Sequence, residues 1–331
     1  MWESNMRQAD AGEEKIRIWD TVPGNHDGKK AAVMEIGRKG PAILMLIRFI
    51  LAIRGESYRD RKKAIDTYTA LSAGPADPDY QETFRDQPYL LPYIAPGSRK
   101  AVIVVPGGGY CYKSMKDEGT AVAEALQKAG ITAFVLWYRT NPYYMPLPAL
   151  DMQRAVRYVR AHAADYGYDP TQVGAVGFSG GGMEIGLHLN LFQGKPVEYA
   201  GYIPDEIDLV DDRLSFAGLI YPALGCKYNV PLLFACFPAE AVRDKKKRQA
   251  LIEDYDVVSH FRSADVPQYI GYGSKDTMVS IKNIEEYYDL LVKNGADCRK
   301  RIVEGAGHGY GASNEQYRDW LKDFIIWVKE R

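Results

Sequence analysis

From about residue 100 onward, short runs of β-branched and aromatic residues alternate with longer stretches whose apolar positions return every three or four residues. The runs are Ala101–Val105, Thr132–Tyr138, Gln172–Gly177, Phe216–Tyr221, Val266–Tyr272 and Cys298–Ile302. Between the first two, Asp117–Ala129 places Val122, Ala125, Leu126 and Ala129 on one helical face. Asp151–Tyr166 aligns Met152, Ala155, Val156, Val159 and Ala163, with Gly167 in position to cap the helix. Ser313–Lys329 closes the chain with Tyr317, Trp320, Leu321, Phe324 and Val328 at helical spacing. Strand-sized runs alternating with helix-sized stretches predict βαβ units and a parallel sheet. No internal repeat or low-complexity tract interrupts the pattern.

Two regions depart from it. Residues 1–99 carry a predicted helical hairpin, Ala42–Ile53 and Tyr58–Leu71, followed by the turn-rich Ser72–Tyr80. Ala42–Ile53 is the most apolar stretch of the chain, yet a membrane-spanning helix needs about 20 apolar residues, so no span is expected. It reads either as a helix of a cap or core, or as an interfacial helix that touches lipid or a second subunit of a homo-oligomer. Residues 194–215 and 225–262 are insertions, expected over the C-terminal edge of the sheet, where ligands bind. The basic run Lys245–Arg248 reads as a solvated helix face.

Composition narrows the classes. In 331 residues, 42 Lys and Arg balance 43 Asp and Glu, which excludes nucleic acid as the main partner, since that binding rests on excess positive charge. An apolar share of 46% is that of a globular chain. Cys111, Cys226, Cys236 and Cys298 form no CxxC pair, so neither a zinc site nor a disulfide framework is indicated. Met1–Lys15 is polar, and a reducing cytoplasm is the expected location.

The chemistry concentrates at the ends of the runs. Gly177-Phe178-Ser179-Gly180-Gly181 follows an apolar run and precedes a helical segment. A serine on a strand-to-helix turn this tight is forced into an unfavourable φ/ψ and leaves no room for side chains two residues away on either side, hence glycine at 177 and 181. The helix that follows aims its N-terminal N–H groups at the site. Neither glycine-rich segment satisfies GxGxxG, which removes a dinucleotide loop. Pro106-Gly107-Gly108-Gly109-Tyr110 ends the run Ala101–Val105 at the same sheet edge. Its glycines let backbone N–H groups approach a substrate, so the oxyanion donors are assigned to Gly108, Gly109 and Gly180.

Elimination finds the base. His162 lies within a helix, His188 lies about 13 Å along the helix after Ser179, His26 is N-terminal, and His260 precedes a strand. His308 remains, in the glycine-ringed loop Gly305–Tyr310 after the last run. Asp276 directly follows Val266–Tyr272, on the required edge, whereas Asp265 and Asp297 precede their strands. The order Ser179, Asp276, His308 is that of α/β-hydrolases.

With those residues in place, residues 100–330 resemble the α/β-hydrolase superfamily, and within it the bacterial acetyl esterase and acetylxylan-esterase-like group near the hormone-sensitive-lipase branch. The stretches that carry the resemblance are Pro106–Tyr110, Glu118-Gly119 with Ile131–Arg139, Pro146–Asp151 and the segment after it, Val176–Gly182, Gly273–Val279 and Gly305–Tyr310. Ile16–Gly24 is similar to the lead-in segment of those esterases. The resemblance implies a mostly parallel central sheet with helices on both faces, a catalytic domain over 100–331, and an N-terminal segment, 1–99, with a helical cap-like insertion near 29–76. It implies a triad of Ser179, Asp276 and His308, with Asp151 structural. Pro106 departs from the histidine common before the three glycines, and Gly180 stands where many relatives have alanine.

The expected activity is serine-dependent hydrolysis of short-chain acyl esters through an acyl-enzyme, without metal or cofactor, on a small ester such as an acetylated sugar or oligosaccharide. A lipase-like esterase with Ala42–Ile53 as lid, a peptidase on the same scaffold, and a non-catalytic binding protein are the alternatives. Tyr110, Tyr112 and Tyr310 lie near the site loops and read equally as sugar-stacking platforms or as packing.

Overall fold

The structure, a computed structural model, describes residues 15–24, 87–110, 113–140, 143–229 and 232–331. The predicted helical hairpin and cap-like insertion, Tyr112 and His26 lie outside the described residues. Among the described residues, eight strands form one sheet in the order β1-β2-β4-β3-β5-β6-β7-β8. They are β1 (Ile16–Arg17), β2 (Tyr89–Tyr93), β3 (Ala101–Val105), β4 (Thr132–Trp137), β5 (Val173–Phe178), β6 (Ala217–Ile220), β7 (Gln268–Gly273) and β8 (Cys298–Val303). From β4 to β8 all neighbours pair in parallel, while β1 and β2 pair antiparallel with each other and β2 with β4.

All six predicted runs are strands, displaced by no more than two residues at either end. The two antiparallel strands are an addition, and they come from before residue 100. Pro92 lowers the strand signal of β2, because it cannot donate to a ladder. It is tolerated because β1 reaches only Tyr89 and Leu90, leaving Pro92 opposite β4 alone.

The helices pack apolar faces on the sheet as the periodicity predicts, with shifted ends. Met115–Thr120 is a π-helical turn that runs into the helix Ala121–Lys128, where Val122, Ala123 and Leu126 are buried. Leu147–Ala161 begins four residues earlier than expected, with Pro148 in its first turn, where a missing N–H costs nothing. Gly167, at φ 80°, caps the short helix Ala163–Tyr166 as predicted. The last helix is Asp319–Lys329, shorter than the stretch that suggested it, with Trp320, Phe324 and Trp327 under the sheet. The basic run lies in the helix Lys245–Asp254, which buries no residue.

One expectation about the insertions is corrected. Residues 194–215 do not sit over the C-terminal edge. They lead back to the start of the strands, where Ser215 N–H donates to Val173 O at 2.8 Å. Their carboxylates close on the helix Leu147–Ala161, Asp205 and Asp208 onto Arg154 and Asp212 onto Arg157. The physical reason is the intervening helix Gly180–Leu187 and its extension, which carry the chain from the C-terminal edge to the opposite one before the insertion begins. The 225–262 insertion does leave from the site edge, with Val257 N–H donating to Leu224 O.

The strand order reverses direction between β3 and β5, with β4 on one side of β3 and β5 on the other. Ligands in open α/β sheets bind in the crevice outside the strand ends at such a switch point. The loops after β3 and β5 are the ones that carry the three glycines and Ser179.

Candidate active site

Ser179 follows β5 directly and opens the helix Gly180–Leu187, with φ 51° and ψ −113°. Its backbone is tied on both sides, its N–H donating to Ile220 O at 3.0 Å and its carbonyl accepting from Ala223 N–H at 3.1 Å. The glycines two residues away on either side have no space for a side chain. A Cβ on Gly177 would stand 2.3 Å from Gly181 O, and one on Gly181 would stand 2.0 Å from Val105 O. The turn therefore exists only because β3, β5 and the helix meet backbone to backbone.

Asp276 and His308 arrive from the last two strands, β7 and β8. His308 Nε2 lies 2.8 Å from Ser179 Oγ, and His308 Nδ1 lies 2.8 Å from Asp276 Oδ2. Asp276 is buried, and its other oxygen accepts N–H groups from Met278 at 2.9 Å and Val279 at 3.1 Å. Both oxygens are thus engaged, which fixes the carboxylate for one imidazole tautomer. The loops that carry the acid and the base are joined to each other: Lys275 N–H donates to Ala306 O, and Gly305 N–H to Ser274 Oγ, each at 2.9 Å. Gly273 admits this approach, since a Cβ there would meet Ala306 O at 2.3 Å.

The glycine loop after β3 packs onto the same turn. A Cβ on Gly107 would meet Phe178 O at 2.5 Å and Ser179 Cβ at 2.9 Å. Gly108 and Gly109 have φ of 146° and 59°, conformations closed to most side chains. Gly109 N lies 3.5 Å from the point where a Cβ on Gly180 would stand, so these two assigned donors lie close together. Gly107 is committed elsewhere, its N–H donating to Glu118 Oε2 at 2.8 Å.

The tyrosines divide differently from the two readings of the sequence. Tyr110 is fully buried, donates its hydroxyl to Gly180 O at 3.3 Å and sets its ring edge-on to Tyr138. It holds the turn from beneath and presents no platform for a sugar. Tyr310 is also buried, edge-on to Tyr221 and Trp320. Packing is the role of both side chains here.

Among the other histidines, His162 bonds Tyr158 O, His188 bonds Asp212 O, and His260 bonds Glu253 O, each within its own part of the fold. Asp151 is buried against Arg139, with Nη2 to Oδ1 at 2.7 Å, and accepts from Trp19 Nε1 at 3.0 Å, so it pins the N-terminal lead-in to the sheet. Two residues at the site went unassigned in the sequence. Glu118 and Tyr221 are both buried, and Tyr221 donates its hydroxyl to Glu118 Oε1 at 2.7 Å. Burial raises the Glu118 carboxyl, against the pull of the bonds from Tyr221 and Gly107. The available signals were the tyrosine closing the run Phe216–Tyr221 and the acidic Asp117-Glu118 pair.

Two family models match the chain, BD-FAE over residues 89–198 and the prolyl oligopeptidase family over residues 237–331. The first spans the glycine loop and Ser179, the second Asp276 and His308. An acetylxylan esterase of Xylanibacter ruminicola is 29% identical over 239 residues, which is 70% of this chain and 46% of that protein. Endo-1,4-beta-xylanase B of Butyrivibrio fibrisolvens is 33% identical over 252 residues, 72% of this chain and 37% of that protein. The chain therefore spans less than half the length of these two relatives. Among solved structures, an acetyl ester-xyloside bifunctional hydrolase from Caldicellulosiruptor lactoaceticus superposes with a TM-score of 0.65 at 28% identity, covering 78% of this chain and 90% of that one. The sheet order, the strained turn after β5 and these likenesses converge on one assignment: the chain has the α/β-hydrolase fold.

Proposed function

We propose that the protein is a serine carboxylesterase that removes short acyl groups, acetyl above all, from acetylated sugars or oligosaccharides. The observation that carries this reading is the unbroken relay from Asp276 through His308 to Ser179, with both bonds at 2.8 Å beside a glycine loop. Ser179 Oγ attacks the ester carbonyl while His308 Nε2 takes its proton. Asp276 holds the Nδ1–H tautomer and stabilises the cation that forms. The N–H groups of Gly108, Gly109 and Gly180 receive the charge developing on the carbonyl oxygen. His308 then protonates the departing alcohol, and a water repeats the sequence to release the acid and restore Ser179.

The sugar half of the proposal is supported by the relatives, which are named for acetylxylan, xylan and acetyl ester-xyloside chemistry. The location proposed is a reducing cytoplasm. Cys226 and Cys298 are free thiols, which suits such a compartment. Among the described residues no helix is long and apolar enough to cross a membrane.

A second reading has one specific observation behind it, the match of residues 237–331 to the prolyl oligopeptidase family. One experiment separates the two. p-Nitrophenyl esters of increasing acyl length, acetylated xylo-oligosaccharides and a prolyl p-nitroanilide are assayed with the wild type and Ser179→Ala. The esterase reading expects acetate release from the oligosaccharides, a decline with acyl length, no anilide cleavage, and a loss of about 10⁴-fold or more in the variant. Cleavage of the anilide with little ester turnover would replace it by the peptidase.

A further inference from the structure

The glycine loop and the histidine loop meet on one side of the site at two buried side chains that take no part in the relay. Glu118 stands in the π-helical turn Met115–Thr120, a conformation that recurs at functional sites. Its carboxylate accepts from Gly107 N–H at 2.8 Å through one oxygen and from Tyr221 O–H at 2.7 Å through the other. Tyr221 follows β6 directly and holds φ at 37°. Its hydroxyl oxygen accepts in turn from Gly311 N–H at 3.2 Å, and its ring stands edge-on to His308 with centroids 5.0 Å apart. The neighbouring Ala312 N–H donates to Asp117 O at 3.1 Å. A continuous path therefore runs from the base of the oxyanion loop to a point three residues beyond His308.

We propose that Glu118 and Tyr221 are positioning residues that fix the distance between the oxyanion donors and the imidazole of His308. An ionised carboxylate is the side chain that offers acceptors on both ends and no donor, which is what two facing donors require. An amide would either turn its N–H₂ against Gly107 N–H or leave the Tyr221 hydroxyl hydrogen without its acceptor, and in a buried site neither loss is relieved by water. A positive φ on a tyrosine persists only where its surroundings over-determine it, and here those surroundings are Glu118, Gly311 and His308. The geometry matters because oxyanion stabilisation depends on donors placed for the transition state rather than for the bound ester.

The inference rests on Ser179 being the nucleophile, so the test uses a readout that does not depend on the substrate. Wild type, Ser179→Ala, Glu118→Gln, Tyr221→Phe and the double variant are labelled with a fluorophosphonate, and kcat and KM for p-nitrophenyl acetate and the melting temperature are measured alongside. The expectation is labelling and kcat reduced about tenfold or more in each single variant, KM within about twofold of wild type, and a double variant no worse than the poorer single by more than about twofold. Wild-type labelling and kcat in either folded variant would overturn the proposal, as would losses that simply multiply in the double variant. If both single variants failed to fold, the pair would be a structural element and the positioning role would fall. An unlabelled wild type would instead refute Ser179 as nucleophile, a different result from any of these.

Discussion

The catalytic loops and the 194–215 insertion hold buried charge in opposite ways. At the C-terminal edge, Tyr110, Ser179 and Tyr221 are the three non-glycine residues with positive φ among the described residues, and all follow strands β3, β5 and β6. The Asp276 and Glu118 carboxylates there are held largely by N–H and O–H donors rather than by cations. On the flank of the 194–215 insertion, the buried charges are paired outright. Arg154 meets Asp208 at 2.9 Å and donates to Asp205 and to Ile18 O, and Arg157 meets Asp212 at 3.2 Å. One region keeps strained backbone and carboxylates bound by neutral donors, where the charge of a transition state can develop. The other pairs its carboxylates with guanidinium groups and serves to join elements. A fold that separates the two can keep a strained site, because the stability that tolerates it comes from elsewhere.

That contrast can be broken most sharply at Asp276. Asp276→Asn keeps size and shape but offers an amide where His308 Nδ1–H needs an acceptor, so kcat should fall by about 10⁴-fold, on the scale of the same change in other triads. The melting temperature should move little, and a large drop in it would show that the strained edge carries stability after all. The opposite prediction applies to Arg154→Met. It leaves Asp208 buried without its closest cation, a change that costs about 3–5 kcal/mol. Chemical denaturation should register that loss while kcat/KM of the folded protein stays within about twofold. A comparable fall in kcat/KM would mean that the two regions are coupled.

How much of this was legible follows from the range over which each signal acts. Five of the six runs were readable because each forms a strand buried throughout by local apolarity, the edge strand β8 alone being largely half-buried or exposed, and the Ser179 turn because glycine spacing over five residues dictates it. Asp276 and His308 were reachable by topology alone, since in a parallel sheet the end of every strand lies on one edge. β2 was not, because its proline masked a strand that exists only through pairing with β4. The placement of 194–215 depended on where the preceding helix ends, and the Glu118–Tyr221 bond joins residues 103 positions apart. Tyr110 and Tyr310 show the limit of composition: an aromatic near a site loop is equally common as a platform and as packing, and only burial separates them.

Another buried carboxyl sharpens the comparison, because it belongs to neither arrangement. Glu184 is fully buried in the helix that starts at Ser179, and burial pushes its carboxyl up to about 8. An acid whose folded pKa exceeds its unfolded one binds its proton more tightly in the fold. Its contribution to stability is full below the ordinary glutamate range and is lost as pH rises toward 8. Between pH 6 and pH 8 the wild type should therefore lose roughly 2 kcal/mol that Glu184→Gln, neutral throughout, does not lose. Denaturant titrations of both proteins at the two pH values measure the difference directly. Parallel pH dependence would mean that Glu184 is ionised in the fold at pH 6 already, and that the helix behind Ser179 shelters a fixed negative charge.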